Sequence, residues 1–354
     1  MHRIKLPNWF KGVGPGFSIK KLICDVAFFI SAIKLVWKSR KDQYSLVHAV
    51  EESAFIAMFI QFIWGIPYIY DMDSSMALQL TEKMPLTKPL LPIFQWFEGQ
   101  AVKSSLAVVP VCDALAVLAD EHGSQRTHIL RDISLLDMGD NDENSTHPAS
   151  ANLREEVGIS VDQKLILYIG NLEHYQGIDL LIESFAHNPA AKTLAKIIII
   201  GGSKEHIDNY KHKVNTLGLA GSVFLVGPRP VSSINAYLSQ ADILVSPRIV
   251  GNNTPMKVYS YLHSGKALAA TRLPTHTQVL DDSVSMLAEP TADSFGQALY
   301  TLITDKQIRE QLGKAAKQLA EEKYTFSVFS KRLNSLYDQL NTKIEAETPQ
   351  VVNS

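Results

Sequence analysis

Short apolar runs alternate with segments of helical periodicity along almost the whole chain. Runs of this kind are typical of parallel strands that are buried on both faces of a sheet, and the helical segments between them supply the crossover connections. The pattern therefore predicts an α/β fold built from repeated strand–helix–strand units.

The predicted elements divide the chain into two halves. In the first half we expect strands at 46–50, 67–71, 106–110 and 127–130, and helices at 18–38, 54–64, 90–103 and 112–122. In the second half we expect strands at 165–170, 196–201, 223–226, 243–246 and 267–270. The helices of that half are predicted at 178–186, 205–217, 231–240, 256–264, 292–304, 306–322 and 327–341.

A polar segment at 138–150, rich in Asp, Asn and Ser, has the composition of a domain linker. It predicts two Rossmann-like, doubly wound domains, at 1–145 and 151–325. A helix at 326–342 and a disordered tail at 343–354 would follow. Two such domains in tandem place the carboxyl ends of their strands around a shared crevice, where a ligand would contact both.

Composition narrows the class of protein. The 354 residues are 46% hydrophobic and 20% charged, and the net charge of −2 gives no argument for nucleic-acid binding. Cys24 and Cys112 are far apart, which favours buried thiols of a reducing, cytoplasmic compartment over a disulfide. No metal-ligand spacing occurs among the 11 histidines, so we expect neither a metal nor a cofactor.

The segment 17–37 is apolar but carries Lys20, Lys21, Asp25 and Lys34, too many charges for a membrane-spanning helix. It fits either a helix lying on a membrane surface or a helix facing the core, and the second is the more common case. The segment 54–64 is nearly all apolar but too short to span a bilayer, which favours a buried helix.

A polar loop and helix at 246–266 predict an anion site. Thr254 is a suitable N-cap, Pro255 suits the first helical position, and Gly265 can end the helix. The loop would then present free backbone N–H groups at a positive helix end, with Arg248 and Lys257 beside it. A diphosphate is the guest that such a site fits best.

Several segments together resemble one family. They are 169–185 (IGNLEHYQGIDLLIESF), 199–202 (IIGG), 223–229 (VFLVGPR), 253–262 (NTPMKVYSYL) and 264–266 (SGK). In this order they resemble the C-terminal domain of the retaining family 4 (group 1) glycosyltransferases. The resemblance implies the GT-B fold, with the active-site cleft between its two domains and a C-terminal helix that crosses back to the first domain.

The resemblance also implies an activity. Family members transfer a sugar from a nucleotide sugar to an acceptor hydroxyl with retention and without a metal. The acceptor would be a saccharide or a lipid-linked glycan, as in polysaccharide biosynthesis, at the cytoplasmic face of a membrane. Two alternatives remain open: a weakly active or inactive relative that binds a nucleotide, and a nucleotide-sugar epimerase of the same fold.

The matching segments imply the donor-site residues. Aligned with the family they are Gly170, Asn171, Gln176, Gly227, Arg229, Asn253, Thr254 and Ser260. The family usually has Arg at the position of Asn171, Lys at that of Gln176, and glutamates at those of Asn252 and Ser260. We expect Lys257 and Arg248 to act in catalysis and, with Arg229, to replace the missing positive charge. The simpler alternatives are a solvated Lys257, an ion-paired Arg248 and a surface role for Arg229.

Two motifs end predicted strands in the first half, at 48–52 (HAVEE) and 71–75 (DMDSS). Asp73 would contact an acceptor hydroxyl there, because sites form at these strand ends. The alternative is helix capping by Asp73, Ser74 or Ser53. The family's opening strand and glycine-rich loop have no counterpart before residue 18. We therefore expect an incomplete N-terminal domain, through either a start further upstream or a truncated copy.

Overall fold

The computed structural model describes residues 19–39, 44–138 and 152–347. The chain divides into two compact units. Unit 1 contains residues 1–130 and 333–354, and unit 2 contains residues 131–332. The predicted start of the chain and most of the predicted linker lie outside the described residues.

Unit 1 is built on a parallel three-stranded sheet in the order β1-β2-β3. Its strands are β1 (Val47–Val50), β2 (Tyr68–Met72) and β3 (Ala107–Pro110). Its first helices are α1 (Ile19–Lys38), α2 (Ser53–Trp64), α3 (Met76–Lys83), α4 (Leu91–Ser104) and α5 (Asp113–Glu121), with a 3₁₀ segment at Pro85–Leu90.

The strand predicted at 127–130 is wrong as a strand. Thr127 forms a single parallel bridge with Val108, and the N–H groups of His128 and Leu130 bond carbonyls of β3. The segment follows the edge of β3 without a run of paired residues. The helix α3 was not predicted, because its eight residues carry few apolar side chains.

Helix α1 differs from the favoured expectation of a core-facing helix. Where its side chains are described, none is buried, and five large apolar ones are exposed. Helix α2 buries Ala54, Ala57 and Ile60 against the sheet, yet Phe62 on its other face is 87% exposed. The expectation of a buried helix at 54–64 is therefore correct for one face only.

Unit 2 contains six parallel strands in the order β6-β5-β4-β7-β8-β9. They are β4 (Lys164–Ile169), β5 (Ala195–Ile200), β6 (Val223–Gly227), β7 (Ile243–Ser246), β8 (Ala267–Thr271) and β9 (Met286–Ala288). The chain reverses its direction of sheet building between the neighbours β4 and β7. In open parallel sheets a ligand crevice forms outside the carboxyl ends of the strands at such a point.

Helices cover both faces of this sheet and enclose two apolar clusters. They are α6 (Leu153–Val157), α7 (Ile178–Ala186), α8 (Pro189–Leu194), α9 (Lys204–Thr216), α10 (Ile234–Gln240), α11 (Met256–His263), α12 (Pro274–Thr277), α13 (Ala292–Thr304) and α14 (Lys306–Lys323). The prediction missed α6, α8, α12 and β9, which are six residues or shorter and so carry little periodicity.

The last helix, α15, spans Phe326–Glu347, and its part from residue 333 belongs to unit 1. There Tyr337 bonds His48, and Arg126 donates to Gln339. The prediction of a disordered tail is wrong for 343–347, which continue the helix, and 348–354 lie outside the described residues.

Neither cysteine forms a disulfide, and only Cys112 is buried, so the expectation of a second buried thiol is wrong for Cys24. Within the described ranges, no helix is long and apolar enough to cross a membrane.

Candidate functional site

A cavity of about 410 Å³ opens at the carboxyl edge of the sheet in unit 2, where β4, β5 and β6 end. Polar and glycine residues form one part of its wall, namely Gly170, Asn171, Gln176, Gly201, Arg229, Lys257 and Ser260. Apolar residues form the other part, chiefly Ile200, Pro228, Pro230, Val231, Ile234, Tyr237 and Met256. Six of the predicted site residues therefore meet in one cavity.

The backbone at the floor of this cavity has no room for side chains. Gly201 has φ +119°, and a Cβ atom there would lie 2.0 Å from the carbonyl oxygen of Gly170. Gly177 has φ +71°, and its Cβ would lie 1.9 Å from the carbonyl oxygen of Pro247. Only glycine permits these approaches, which leave backbone groups open to a ligand.

Lys257 is the second residue of α11 and the central cation of the cavity. Its Nζ donates to Oε1 of Gln176 at 3.0 Å and lies 3.9 Å from the centre of the Tyr168 ring. No carboxylate of the described residues pairs with it. Burial, with a smaller effect of the Arg248 charge, lowers the pKa of this lysine well below its ordinary value. An anion entering the cavity would therefore meet a lysine that lacks a counter-ion.

The prediction of the cap of α11 was wrong. The helix begins at Met256 with Pro255 at the N-cap, and no side chain caps it. Thr254 is buried one position earlier and does not line the cavity. The first N–H groups of a helix lack intrahelical partners, and here those of Met256 and Lys257 have no capping side chain. Gly265, with φ +70°, follows the helix as predicted.

Three hydrogen bonds that sequence reasoning missed hold the loop between β7 and α11, and we call them the bracket. Their donors are side chains of the segment from the last residue of β8 to the residue after α12, and their acceptors are carbonyl oxygens of the loop. The bonds run from Thr271 to Arg248 (2.5 Å), from Gln278 to Asn252 (2.7 Å) and from Thr275 to Asn253 (2.7 Å). These bonds fix the path of the loop before any ligand binds.

His276 bonds to Thr271, one of the three donors, and to Ser246 at the end of β7. Its Nδ1 donates to the Thr271 carbonyl at 3.0 Å, and its Nε2 accepts from the Ser246 hydroxyl at 2.8 Å. The residue is fully buried, and burial is the main reason that its pKa falls to about 3. The ring is therefore neutral at physiological pH and serves the position of the loop.

Arg248 is engaged within its own loop. Its guanidinium donates to the carbonyls of Val250 (2.8 Å) and Asn253 (3.3 Å) and lies 5.1 Å from the centre of the Tyr175 ring. Gly251 leaves the space that it fills, since a Cβ there would lie 2.5 Å from Nη2. Arg248 does not line the cavity, although its charge lowers the pKa of Lys257.

The remaining predicted residues of unit 2 differ in position. Arg229 lines the cavity and forms an ion pair with Glu156. The Ser260 hydroxyl accepts from the Leu135 N–H at 3.0 Å, so its own proton is available to another acceptor. Gly227 ends β6 beside the cavity without lining it.

The carboxyl ends of β1 and β2 in unit 1 carry carboxylates. Asp73 follows β2, and burial together with the neighbouring Asp71 raises its pKa. The alternative of capping is wrong for the residues named. Ser75 caps α3 by accepting from the Leu78 N–H, and α2 begins at Ser53 without a side-chain cap.

Glu51 is a second acidic group at this edge, and sequence reasoning did not single it out. Among the described residues it is the only one other than glycine that has a positive φ (+50°). The Ser74 hydroxyl lies 2.9 and 3.0 Å from its two carboxylate oxygens. Burial, chiefly, raises its pKa to about 7. Nearby, His48 donates to Asp71 (3.1 Å) and accepts from Tyr337 (2.6 Å).

Residues 150–319 match the family model described as glycosyl transferases group 1. This segment is a group 1 glycosyltransferase domain. It covers most of unit 2 and includes every residue of the cavity wall named above except Leu135, which lies before it. The predicted resemblance to the group 1 glycosyltransferases is confirmed.

Two relatives of known activity extend the similarity over most of the chain. The chain is 24% identical to the D-inositol 3-phosphate glycosyltransferase of Corynebacterium glutamicum, over 98% of this chain and 84% of the relative. It is 22% identical to the alpha-D-kanosaminyltransferase of Streptomyces kanamyceticus, over 85% of this chain and 79% of the relative.

Solved structures confirm the predicted α/β fold class with two Rossmann-like units. The sucrose-phosphate synthase of Thermosynechococcus elongatus matches with a TM-score of 0.74 at 17% identity, over 94% of this chain and 82% of that one. Anabaena HepE in complex with UDP matches with a TM-score of 0.72 at 14% identity, over 87% and 81%.

Proposed function

We propose that the cavity of unit 2 binds the diphosphate of a nucleotide sugar and that the chain transfers the sugar, with retention, to an acceptor hydroxyl without a metal. The observation that carries this proposal is Lys257. Its side-chain amine lines the cavity without a carboxylate partner among the described residues and lies beside the uncapped start of α11, so an anion that binds there favours its protonated form. Uncapped N–H groups and a cation together are a suitable site for a phosphate group.

The departures from the family pattern support a rearranged phosphate site. Where the family has a lysine, Gln176 is buried and accepts a hydrogen bond from Lys257. The Lys257 side chain thus lies next to the position at which the family has its lysine, and it can take over the role of that lysine. Arg229 adds a second positive group at the cavity wall, although Glu156 offsets part of its charge. Arg248 acts by holding the loop.

The apolar part of the wall fits the nucleoside. Ile200, Pro228 and Tyr237 offer apolar surface to a base, and Ser260 can donate to a ribose hydroxyl. Asn171, Asn253 and Thr254 belong to the two loops that flank the diphosphate. Because UDP is bound in the structure of HepE, UDP is the first nucleotide to test.

Transfer breaks the bond between the sugar and the diphosphate, so negative charge grows on the leaving phosphate. Donors that are already aimed at this charge stabilise the transition state more than the ground state. Lys257 and the first N–H groups of α11 serve this purpose. The described residues hold no group of three or more His, Cys, Asp or Glu side chains placed to bind a metal. In the proposed mechanism the cation and the N–H groups stabilise this charge without a metal.

We assign the acceptor to unit 1. Its strand ends carry Asp73 and Glu51, whose carboxylates can bind or deprotonate a hydroxyl. A relative named for D-inositol 3-phosphate supports a hydroxylated acceptor. We propose a saccharide or a lipid-linked glycan. A lipid-linked acceptor would place the reaction at the cytoplasmic face of a membrane.

Product analysis tests the reaction. The full chain is incubated with labelled UDP-glucose, a set of saccharide and lipid-linked acceptors, and EDTA. We expect a glycosylated product with the anomeric configuration of the donor. Label that remains in the nucleotide sugar as its epimer would identify an epimerase. UDP binding without turnover on any acceptor would identify the non-catalytic relative.

A further inference from the structure

Exposed apolar side chains are unevenly divided between the two units. Of the 25 large apolar side chains that are exposed in the described residues, 17 belong to unit 1. Unit 1 is nevertheless the smaller of the two in described residues. A concentration of this kind marks a surface that binds something.

The exposed residues lie on neighbouring helices. The rings of Phe29 on α1 and Phe59 on α2 are 5.3 Å apart, and Gln61 on α2 donates to the last residue of α4. Of the apolar side chains on these helices and on the segment Pro85–Leu90, those with the highest exposed fraction are Leu86 (96%), Phe62 (87%), Trp96 (59%) and Trp37 (58%). We call these residues the apolar surface of unit 1.

Positive charge is concentrated in the same part of the chain. Residues 1–41 contain nine Lys or Arg and a single Asp, whereas the rest of the chain contains 25 Lys or Arg and 35 Asp or Glu. Helix α1 itself carries four lysines and one aspartate. The segment that supplies α1 therefore has a net charge of +8, in a chain whose net charge is −2.

We propose that the apolar surface of unit 1 docks on an anionic lipid bilayer. Exposed Trp, Phe and Leu side chains enter the interface, while the exposed Lys34 and Lys38 of α1 contact lipid phosphates. Because no described helix can span a membrane, the chain would lie on the surface of the bilayer. The docking deepens the proposed transfer to a lipid-linked acceptor, because it brings unit 1 to the membrane.

Charge favours a bilayer over a second copy of the chain. In a symmetric dimer each copy presents the same patch to the other. Two copies of α1, each with four lysines and one aspartate, would then repel each other across the interface. An anionic bilayer instead attracts both the apolar and the basic part of the surface.

Sedimentation of the full chain with vesicles tests the proposal. The chain should bind phosphatidylcholine vesicles that contain phosphatidylglycerol, release them at high salt, and bind pure phosphatidylcholine more weakly. The double variant Lys34→Glu/Lys38→Glu should bind at least about 25-fold more weakly, since each basic residue near the surface contributes about fivefold and the two glutamates add repulsion. Its control is Lys204→Glu/Lys211→Glu, on the exposed side of α9.

The apolar contribution has its own matched pair. Phe62→Ser and Val161→Ser each remove a side chain that is 87% exposed, in unit 1 and unit 2 respectively. Only Phe62→Ser should weaken vesicle binding, by about tenfold, as expected when an aromatic ring is no longer buried in the bilayer. UDP binding, measured on the same variants, should stay unchanged, which separates failure at the membrane from failure at the donor site.

Three results would overturn the proposal. The chain could fail to sediment with phosphatidylglycerol vesicles at low salt. The unit 1 variants could bind vesicles as well as their unit 2 controls. Finally, the chain could self-associate without lipid and lose this association through Phe62→Ser, which would assign the surface to a second copy.

Discussion

The two units carry opposite charge at the same structural position. In unit 2 the carboxyl ends of the strands surround a buried lysine and the start of a helix. In unit 1 the carboxyl ends of β1 and β2 carry Glu51, Asp71 and Asp73. A parallel sheet offers the same crevice in both cases, so the side chains that follow the strands decide what it can bind. The comparison teaches that a phosphate fits unit 2 and a hydroxyl fits unit 1.

The largest predicted effect breaks the cationic half of this comparison. Lys257→Ala should lower UDP affinity or the rate of transfer about 100-fold, the usual effect of removing one preorganised donor to a developing anion. Lys211→Ala, on the exposed side of α9, is the control. Titration calorimetry and initial rates measure both. Equal affinity and rate in the Lys257→Ala variant and the wild type would exclude this lysine from the donor site.

The pH dependence of donor binding sharpens the role of this lysine. Its pKa is lowered in the free protein, and a bound diphosphate favours the protonated form. Affinity for UDP should therefore fall as pH rises, beginning below the ordinary pKa of lysine. In Lys257→Arg the positive charge persists, so titration across the same pH range should give a constant affinity. A parallel decline in both proteins would assign the pH effect to another group.

Two glycine-to-alanine variants compare how well the backbone of each unit tolerates an added Cβ atom. Ala at Gly65, the cap of α2, meets no atom within 4 Å and only strains φ +70°, which costs about 1 kcal/mol. Ala at Gly201 adds a collision with the Gly170 carbonyl, so we expect a loss of about 3 kcal/mol or more. Urea unfolding gives both free energies of unfolding. Similar losses of unfolding free energy in both variants would mean that the backbone at the cavity can shift to make room for the added Cβ atom.

The bracket around the donor loop should have a smaller effect. Thr275→Val removes the bond to the Asn253 carbonyl, and we expect about fivefold weaker UDP binding, near 1 kcal/mol. Thr275→Ser should restore the affinity. Thr277→Val serves as the control, because that hydroxyl bonds only a carbonyl one turn earlier. If Thr275→Ser bound as poorly as Thr275→Val, the hydrogen bond alone would not explain the loss.

The last pair of effects concerns stability at acid pH, where a buried group in each unit should respond with opposite sign. Between pH 3 and 6.5 the unfolded chain protonates His276 and the folded one does not. The free energy of unfolding therefore rises with pH, by at most about 1.4 kcal/mol per pH unit. Between pH 4.5 and 7 folded Glu51 holds a proton that the unfolded chain releases, so its contribution falls as pH rises.

Urea unfolding at pH 5 and pH 7 checks this difference. His276→Asn should make the stability rise less steeply between the two values, and Glu51→Gln should make it rise more steeply. Changes of the same sign in both variants would show that the two environments are not opposed as described.

Sequence reasoning found what depends on local pattern and missed what depends on distant contacts. The strands of both sheets and the loop around Lys257 carry strong local signals, namely continuous apolar runs, glycines and a proline before a helix. The contact of Lys257 with Gln176 joins residues 81 positions apart, and that of His276 with Ser246 joins residues 30 apart. No spacing rule predicts such pairs.

Helix α1 shows a different limit. Its apolar and charged residues fit both a core-facing helix and a membrane-surface helix, and the more common core-facing case was the favoured prediction. Only the structure showed that its described side chains stay unburied. The pattern indicates that one face avoids water, and the surrounding fold decides whether protein or lipid covers that face.

A crystal structure of the full chain with UDP tests the central claim most directly. We predict that a phosphate oxygen lies about 3 Å from Lys257 Nζ and from an N–H of the first turn of α11, with the uracil ring on the apolar wall near Pro228. Lys257 would then turn from Gln176 toward the phosphate. A diphosphate bound elsewhere, with the bond between Lys257 and Gln176 intact, would contradict the assignment of this cavity as the donor site.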